Sequence, residues 1–133
     1  LGCLAAGCCH GKRALVPWAV RFSHPAAQLN EAFLGVSLHP VALYEALGEG
    51  MFFLLLGYFI LPRIQKKVWP IGLSFTLYLL LYSLLRFVLE FLRGDFRGIL
   101  FGSFLSPSQW LSLGVGSAAL VALTRLKLRL VTK

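Results

Sequence analysis

Four polar residues interrupt an apolar stretch in the second half of the chain, and their types suit chemistry on a phosphate or a carboxylate. They are Tyr82, Arg86, Glu90 and Arg93. At about 100° per residue they fall within an arc of roughly 80° on one helix face. The guanidinium of Arg86 offers a planar fork of donors that matches a phosphate or carboxylate. Glu90 could orient that fork or act as an acid or base, and Tyr82 supplies a hydroxyl.

Two interpretations of this polar stripe are open. A charge at the centre of a membrane-spanning helix costs about 2.5–3.5 kcal/mol on insertion scales, so charges kept there usually mark a functional site. The stripe therefore either lines such a site, or Arg86 and Glu90, four residues apart, only neutralise each other and hold helices together. We favour the first interpretation, because it also explains the tyrosine and the second arginine.

A second polar group lies at the start of the preceding apolar stretch, in the segment HPVALYEALGE, and consists of His39, Tyr44, Glu45 and Glu49. Glu45 and Glu49 are four residues apart on one helix face and have no basic neighbour on that helix. We therefore expect a cation from another element to offset them, with Arg86 or Arg93 as the candidates. A single histidine at a helix start is more often a capping or interface residue than a catalyst.

The chain begins with a segment rich in glycine and cysteine, LGCLAAGCCHGK. Its glycines permit tight turns or a close approach of the backbone to a ligand. Cys3, Cys8, Cys9 and His10 are zinc-ligand types, but their spacing is not that of the usual zinc knuckle. We predict no metal site and expect these small residues to pack a loop. One disulfide is an open alternative if the segment faces an oxidising compartment.

The composition indicates that the polar residues described above are positioned by helices that lie in a membrane. Of 133 residues, 58% are hydrophobic and 14% charged, against about 25% charged in soluble domains. Three stretches, residues 41–61, 70–92 and 107–124, are long enough for a membrane span, which needs roughly 17–25 residues. We predict an all-α polytopic membrane protein, with an outer segment over residues 1–40 and a three-span region over residues 41–133.

The third predicted span carries two local signals. Ser106 and Pro107 predict the N-cap and the first turn of a helix. Within that helix, Gly114 and Ala118 form a pair of small residues four apart, which predicts close packing against another helix.

The net charge of +8 is concentrated at the ends of the predicted spans. Basic residues follow the first span at Arg63, Lys66 and Lys67, and follow the last at Arg125, Lys127, Arg129 and Lys133. Positive charge of this kind marks cytoplasmic flanks, so residues 1–40 and 93–106 are predicted to lie outside and the C-terminus inside. Nucleic-acid binding is not predicted, because the stacking surfaces of single-strand binders are missing.

Four motifs, in the same order, resemble the prolipoprotein diacylglyceryl transferases of the bacterial inner membrane. LGCLAAGCCHGK is similar to the glycine-rich signature of that family, and HPVALYE to its His-Pro-x-Gln-Leu-Tyr-Glu element. YSLLRFVLEFLRGD resembles its Tyr-x3-Arg-Phe-x2-Glu-Phe-x-Arg helix, and LSPSQWLSL its Leu-Ser-x2-Gln-x-Leu-Ser element. The combination covers most of the chain and is specific, although each motif alone is not.

The resemblance implies a multi-pass transferase of lipoprotein biosynthesis with seven helices, of which this chain would be the C-terminal part. Such enzymes move a diacylglyceryl group from phosphatidylglycerol to the lipobox cysteine of a prolipoprotein. The product is a thioether, and glycerol phosphate leaves. The implied partners are phosphatidylglycerol, the prolipoprotein signal peptide with its lipobox cysteine, and membrane lipids, and no cofactor is implied.

Motif positions then imply roles for individual residues. Tyr82, Arg86 and Glu90 would be catalytic, since an arginine that faces a lipid phosphate stabilises charge on the leaving group. Substrate binding is implied for Gly2, Gly7, Gly11, His39, Tyr44, Glu45 and Arg93. Cys3 stands where the signature has Asn, and Ala42 where the second element has Gln. The signature Arg and a His-Gly-Gly segment would precede Leu1, so we expect the chain alone to be inactive.

Two other functions are open at this stage. One is a non-catalytic lipid-binding membrane subunit that has kept the polar helix. The other is a fragment of a transporter or channel in which the stripe lines a pathway, and that class would show a related helical repeat upstream.

Overall fold

The computed structural model describes residues 2, 6–7, 10–24, 27, 31–94 and 105–131, without the side chains of residues 127–131. Most of these residues are helical. Helix α1 (Val41–Leu55) continues through a π-helical turn (Leu56–Ile60) into α2 (Leu61–Gln65), and α3 (Leu73–Leu92) and α4 (Pro107–Val131) follow. The outer segment adds strand β1 (Val20–Arg21), a 3-10 turn (Glu31–Phe33) and strand β2 (Ser37–Leu38). The predicted helical class is therefore confirmed.

Two helical stretches in the described part of the chain have the length and composition to cross a membrane. Val41–Gln65 has 25 residues and a mean hydropathy of 1.5, and Leu73–Leu92 has 20 residues and a mean hydropathy of 1.7. Only 11% and 17% of these stretches are buried within the structure. Their remaining apolar surface is thus available to lipid or to other helices.

The third predicted span forms a helix that does not meet the same criterion. Pro107–Val131 has ample length, at 25 residues, but only two stretches of the described chain are apolar enough to span. Its first half is mixed in character, with serines, a glutamine and glycines among leucines, and Gln109 and Ser112 are buried. Neither a third span nor a seven-helix bundle follows from this structure.

Helix α3 packs against α1 on one side and along α4 on the other. A Cβ atom at Gly48 would lie 2.5 Å from Leu85 Cδ2, and one at Gly116 would lie 2.8 Å from Ser83 Oγ. Glycine at these two positions therefore lets the helices approach closely. The predicted small-residue pair does not contact α3: Gly114 has no neighbour in the space where a Cβ would stand, and Ala118 is exposed.

The outer segment joins the start of α1 to the end of α3 through backbone hydrogen bonds. Residues 10–14 lie between them: Gly11 N donates to His39 O (3.0 Å), His39 N to Lys12 O (3.0 Å) and Lys12 N to Leu92 O (2.8 Å). Strands β1 and β2 pair antiparallel beside this connection, and Leu38 of β2 and Val41 at the start of α1 are fully buried there. We call residues 10–14, 37–41 and 92–94 the outer clasp, because they hold together the helix ends that flank the polar residues.

Candidate active site

Arg86 stands on α3 and reaches across to α1. Its Nη1 donates to Glu45 Oε1 at 3.1 Å, and its Nη2 lies 4.0 Å from Glu90 Oε2, one turn further along α3. The side chain of Arg86 is 16% exposed. The expectation that a cation from another helix offsets Glu45 is therefore confirmed. The hydrogen bond to Glu45 orients the guanidinium between α1 and α3, and Glu90 adds a longer-range electrostatic attraction.

Glu90 is held by two serines at the start of α4. Its Oε1 accepts a hydrogen bond from Ser106 Oγ (2.8 Å) and its Oε2 one from Ser108 Oγ (3.1 Å). The side chain is 7% exposed. Since both oxygens are engaged, in addition to the neighbouring guanidinium, this geometry favours an orienting role for Glu90 over acid–base chemistry.

The local sequence explains why those serines are in place. Ser106 N donates to Gln109 Oε1 at 3.0 Å, and Gln109 N donates to Ser106 Oγ at 3.2 Å. This reciprocal pair is a capping box, which fixes the start of α4 as Ser106 and Pro107 predicted. From the sequence alone, Ser106 and Ser108 were not identified as partners of Glu90. The Ser-x-x-Gln capping pattern was the signal that could have indicated their position at the start of α4.

A cavity of about 260 Å³ lies beside Arg86, between α3 and α4. Its walls include Tyr82, Ser83, Ser108 and Ser112 together with apolar side chains. Tyr82 stacks on Tyr78, with ring centroids 6.0 Å apart and planes 23° apart. The cavity thus presents the guanidinium of Arg86 and the hydroxyl of Tyr82 within an apolar helix pair, and both are donors that suit a phosphate.

His39 and Tyr44 form a second cluster at the outer end of α1. His39 Nδ1 lies 3.2 Å from the Tyr44 hydroxyl, and that hydroxyl also accepts a hydrogen bond from Trp18 Nε1 at 2.7 Å. Tyr44 precedes Glu45 in the chain, so this outer cluster adjoins the Arg86 ion pair. Trp18 was not singled out from the sequence, because nothing in its local pattern connects it to α1.

The three glycines for which the resemblance implies substrate binding differ in their surroundings. A Cβ at Gly11 would lie 2.5 Å from His39 Cβ and 2.6 Å from His39 O, so only glycine fits there. Gly7 has a positive φ of 72°, which favours glycine, whereas a Cβ at Gly2 would meet nothing within 4 Å. Arg93 is 6% exposed and lies in the outer clasp, where its backbone pairs with Gly11.

The expectation that a cation offsets Glu49 is wrong for the described residues. Its Oε2 accepts a hydrogen bond from the hydroxyl of Tyr78 on α3 at 3.1 Å, and no arginine or lysine of the described residues pairs with it. The reason is helix geometry: Arg86 reaches Glu45, and Glu49 lies one turn further along α1, opposite Tyr78.

The predictions about the cysteines cannot be compared with the structure. Cys3, Cys8 and Cys9 lie outside the described residues. Within the residues that are described, no group of three or more histidine, cysteine, aspartate or glutamate side chains is arranged to hold a metal ion.

The fold and the site together define a class: a helical membrane protein with an arginine–carboxylate site between apolar helices. Residues 1–125 match the family described as prolipoprotein diacylglyceryl transferase. The chain belongs to this family, which confirms the resemblance of the four motifs.

Curated relatives named phosphatidylglycerol–prolipoprotein diacylglyceryl transferase share substantial identity with the chain. The protein of Clostridium tetani is 40% identical over 114 residues, which is 85% of this chain and 41% of that protein. A second such protein, from Clostridium perfringens, is 35% identical over 129 residues, 96% of this chain and 46% of the relative. The chain thus spans less than half the length of these relatives. No solved structure is significantly similar to it.

Proposed function

We propose that the protein to which this chain belongs transfers a diacylglyceryl group from phosphatidylglycerol to the lipobox cysteine of a prolipoprotein. The observation that carries the proposal is the position of Arg86, a part-buried guanidinium beside Glu45 and Glu90 on the wall of the cavity between α3 and α4. The names of the relatives state the same donor and acceptor for those proteins.

In the proposed reaction, the sulfur of the lipobox cysteine attacks the glyceryl carbon that carries the phosphate. A carbon–sulfur bond forms, the carbon–oxygen bond to phosphate breaks, glycerol phosphate leaves, and the thiol proton passes to a base. Negative charge builds on the departing phosphate, where the guanidinium of Arg86 would stabilise it. Glu45 and Glu90 would orient that guanidinium, and Tyr82 would donate a hydrogen bond to the lipid headgroup.

The other predicted residues have supporting places in this proposal. His39 and Tyr44 would contact the substrate from the outer end of α1. Gly7 and Gly11 would shape the backbone of the outer segment, and Gly2 and Arg93 keep their implied substrate roles as part of the proposal. The signal peptide with its lipobox cysteine would approach from the surrounding lipid.

A direct assay tests the proposed activity. The protein, expressed from its complete reading frame and purified, is incubated with phosphatidylglycerol carrying labelled acyl chains and with a lipobox peptide. We expect a labelled peptide thioether and release of glycerol phosphate. A peptide with serine in place of the lipobox cysteine is the control and should remain unlabelled. Lipid binding without thioether formation would instead identify a non-catalytic subunit.

We further propose a multi-pass protein of the bacterial inner membrane, with α4 as a third span of a seven-helix bundle. The support is the length of α4, its packing along α3, and the basic residues that follow α2 and end the chain. Arg63, in the last turn of α2, donates to Phe59 O at 2.6 Å and stands 5.1 Å from the Trp69 ring. Arginine and tryptophan together are typical of a membrane interface.

The orientation is tested by labelling single cysteines in intact cells, on a background in which the native cysteines are replaced by serine. Cysteines at positions 65 and 130 should be shielded from a membrane-impermeant thiol reagent, because positive flanks lie in the cytoplasm. A cysteine in place of the fully exposed Leu15 should be labelled and serves as the control. Labelling at positions 65 and 130 with Leu15→Cys shielded would reverse the proposed topology.

A further inference from the structure

The hydroxyl group of Ser106 links the start of α4 to the ion pair of Arg86, and the helix cap does not require that link. The cap is a reciprocal pair of hydrogen bonds, from Ser106 N to Gln109 Oε1 (3.0 Å) and from Gln109 N to Ser106 Oγ (3.2 Å). A third hydrogen bond runs from Ser106 Oγ to Glu90 Oε1 at 2.8 Å. This bond joins two helices, and capping leaves it unexplained.

The chemistry of a hydroxyl allows Ser106 to serve both partners at once. A serine hydroxyl has one proton and two lone pairs, so it can accept from one group and donate to another. In Ser106 a lone pair accepts from Gln109 N, and the proton goes to Glu90, whose carboxylate can only accept. A side chain that has an acceptor but no proton could therefore cap α4 and could not hold Glu90.

Glu90 transmits this contact to Arg86. While its Oε1 is held by Ser106, its Oε2 accepts from Ser108 Oγ at 3.1 Å and lies 4.0 Å from Arg86 Nη2. The last torsion of a glutamate side chain is broad, so the carboxylate turns unless partners fix it. Only 7% of this side chain is exposed, which leaves water little access to replace a lost partner. The direction of the negative charge beside the guanidinium thus depends on the start of α4.

We propose that Ser106 is a positioning residue for Arg86: its proton fixes the carboxylate of Glu90, and that carboxylate keeps the guanidinium oriented at the wall of the cavity between α3 and α4. The effect on rate rests on the proposed transfer reaction, whereas the contact itself does not. Because the guanidinium stabilises charge that develops only as the phosphate leaves, loosening it lowers kcat and changes KM little. A serine that only caps a helix would instead change the yield of inserted protein.

Two isosteric substitutions separate capping from positioning. Asparagine and aspartate are both good N-cap residues, but only asparagine carries an N–H that can donate to Glu90. The protein is expressed from its complete reading frame, held in nanodiscs and assayed for thioether formation. Ser106→Asn should keep kcat within about threefold of the native value, because the charged acceptor keeps a donor. Ser106→Asp should lower kcat by about 10–100-fold at nearly unchanged KM, since a misplaced group costs up to about 10² in rate. Equal kcat values for the two variants would overturn the proposal.

A second position tests the same hold on Glu90 without touching the cap. Ser108→Ala removes the hydrogen bond to Glu90 Oε2, so it is informative even if Ser106→Asp fails to insert. We expect kcat to fall about tenfold, as for the loss of one hydrogen bond to a charged group, and a native kcat would contradict the proposal. Thr124→Ala is the matched control on α4, because this exposed hydroxyl donates to Val121 O of the same helix at 2.8 Å. Its kcat should stay within about twofold of the native value.

Thermal unfolding in detergent tests the contact without reference to transfer. Ser106→Asp sets two carboxylates against each other, so its melting temperature should lie below that of Ser106→Asn. The comparison is sharp because an added negative charge at a helix N-terminus is otherwise stabilising. Adding Glu90→Gln to Ser106→Asp should raise the melting temperature again, because an amide N–H then donates to the introduced carboxylate. A double variant that melts no higher than Ser106→Asp would show that position 106 does not meet Glu90.

The two measurements separate the positioning role from the proposed function. A native protein that transfers no diacylglyceryl group but whose variants show the expected melting temperatures overturns the proposed function and leaves the contact of Ser106 with Glu90 intact. A native protein that transfers, with Ser106→Asn and Ser106→Asp equally active, overturns the positioning role alone.

Discussion

Arg86→Ala is expected to lower the rate of diacylglyceryl transfer by roughly 10²–10³, the usual loss when one stabilising transition-state contact is removed. The guanidinium is the cation on the wall of the cavity between α3 and α4, and it lies beside two carboxylates, Glu45 and Glu90. Arg86→Lys should restore only part of the activity, because an ammonium group cannot reproduce the planar fork. The measurement is kcat/KM in the thioether assay, normalised to the amount of inserted protein.

A matched control separates loss of chemistry from loss of a surface charge. Arg63 is an exposed arginine at the opposite end of the helices, and Arg63→Ala should leave kcat/KM within about twofold of the native value, since exposed pairs contribute little. If Arg86→Ala inserts poorly but the surviving protein is fully active, the Arg86 ion pairs only hold α1 and α3 together. In that case the structural interpretation of the polar stripe is correct.

Gly11→Ala is expected to lower the free energy of unfolding by about 1–3 kcal/mol, the usual cost of overpacking a site that cannot relax. A Cβ there would stand 2.5 Å from His39 Cβ and 2.6 Å from His39 O. The backbone cannot yield without breaking the hydrogen bond from Gly11 N to His39 O, at 3.0 Å. Thermal unfolding of the purified protein in detergent measures the change.

Gly2→Ala provides the comparison for this substitution, because a Cβ at that position meets nothing within 4 Å. Its melting temperature should equal that of the native protein. Transfer activity should also fall in Gly11→Ala, since the outer clasp holds His39 beside the site. A Gly11→Ala protein as stable as Gly2→Ala would show that the clasp does not close as the structure describes.

Local patterns in the sequence were sufficient to predict the helices and to place the polar residues on one face of α3. Spacing along one helix determines which side chains lie on one side of it, so the stripe of Tyr82, Arg86 and Glu90 followed from the chain alone. The capping signal at Ser106 and Pro107 likewise predicted the start of α4. The order of the motifs predicted the family, which the match over residues 1–125 confirms.

Contacts between helices were predicted only in part. The sequence left Arg86 and Arg93 as equal candidates to offset Glu45, and the structure selects Arg86. It indicated Gly114 and Ala118 as a pair suited to close helix packing, which stays a prediction, and it did not single out Gly116, the glycine of α4 that contacts Ser83 on α3. The proposed division of the chain at residue 40 and the roles of the site residues stay predictions.

The sequence by itself thus determined the helical class, the apolar stretches and the polar face of α3, because these depend on spacing within one element. Only the tertiary structure decided that Glu45 meets Arg86, that two serines engage Glu90, and that Glu49 meets Tyr78. Those outcomes depend on how far one helix is rotated and shifted against the next. A rotation of a few tens of degrees exchanges one contacting residue for its neighbour, and no local pattern specifies it.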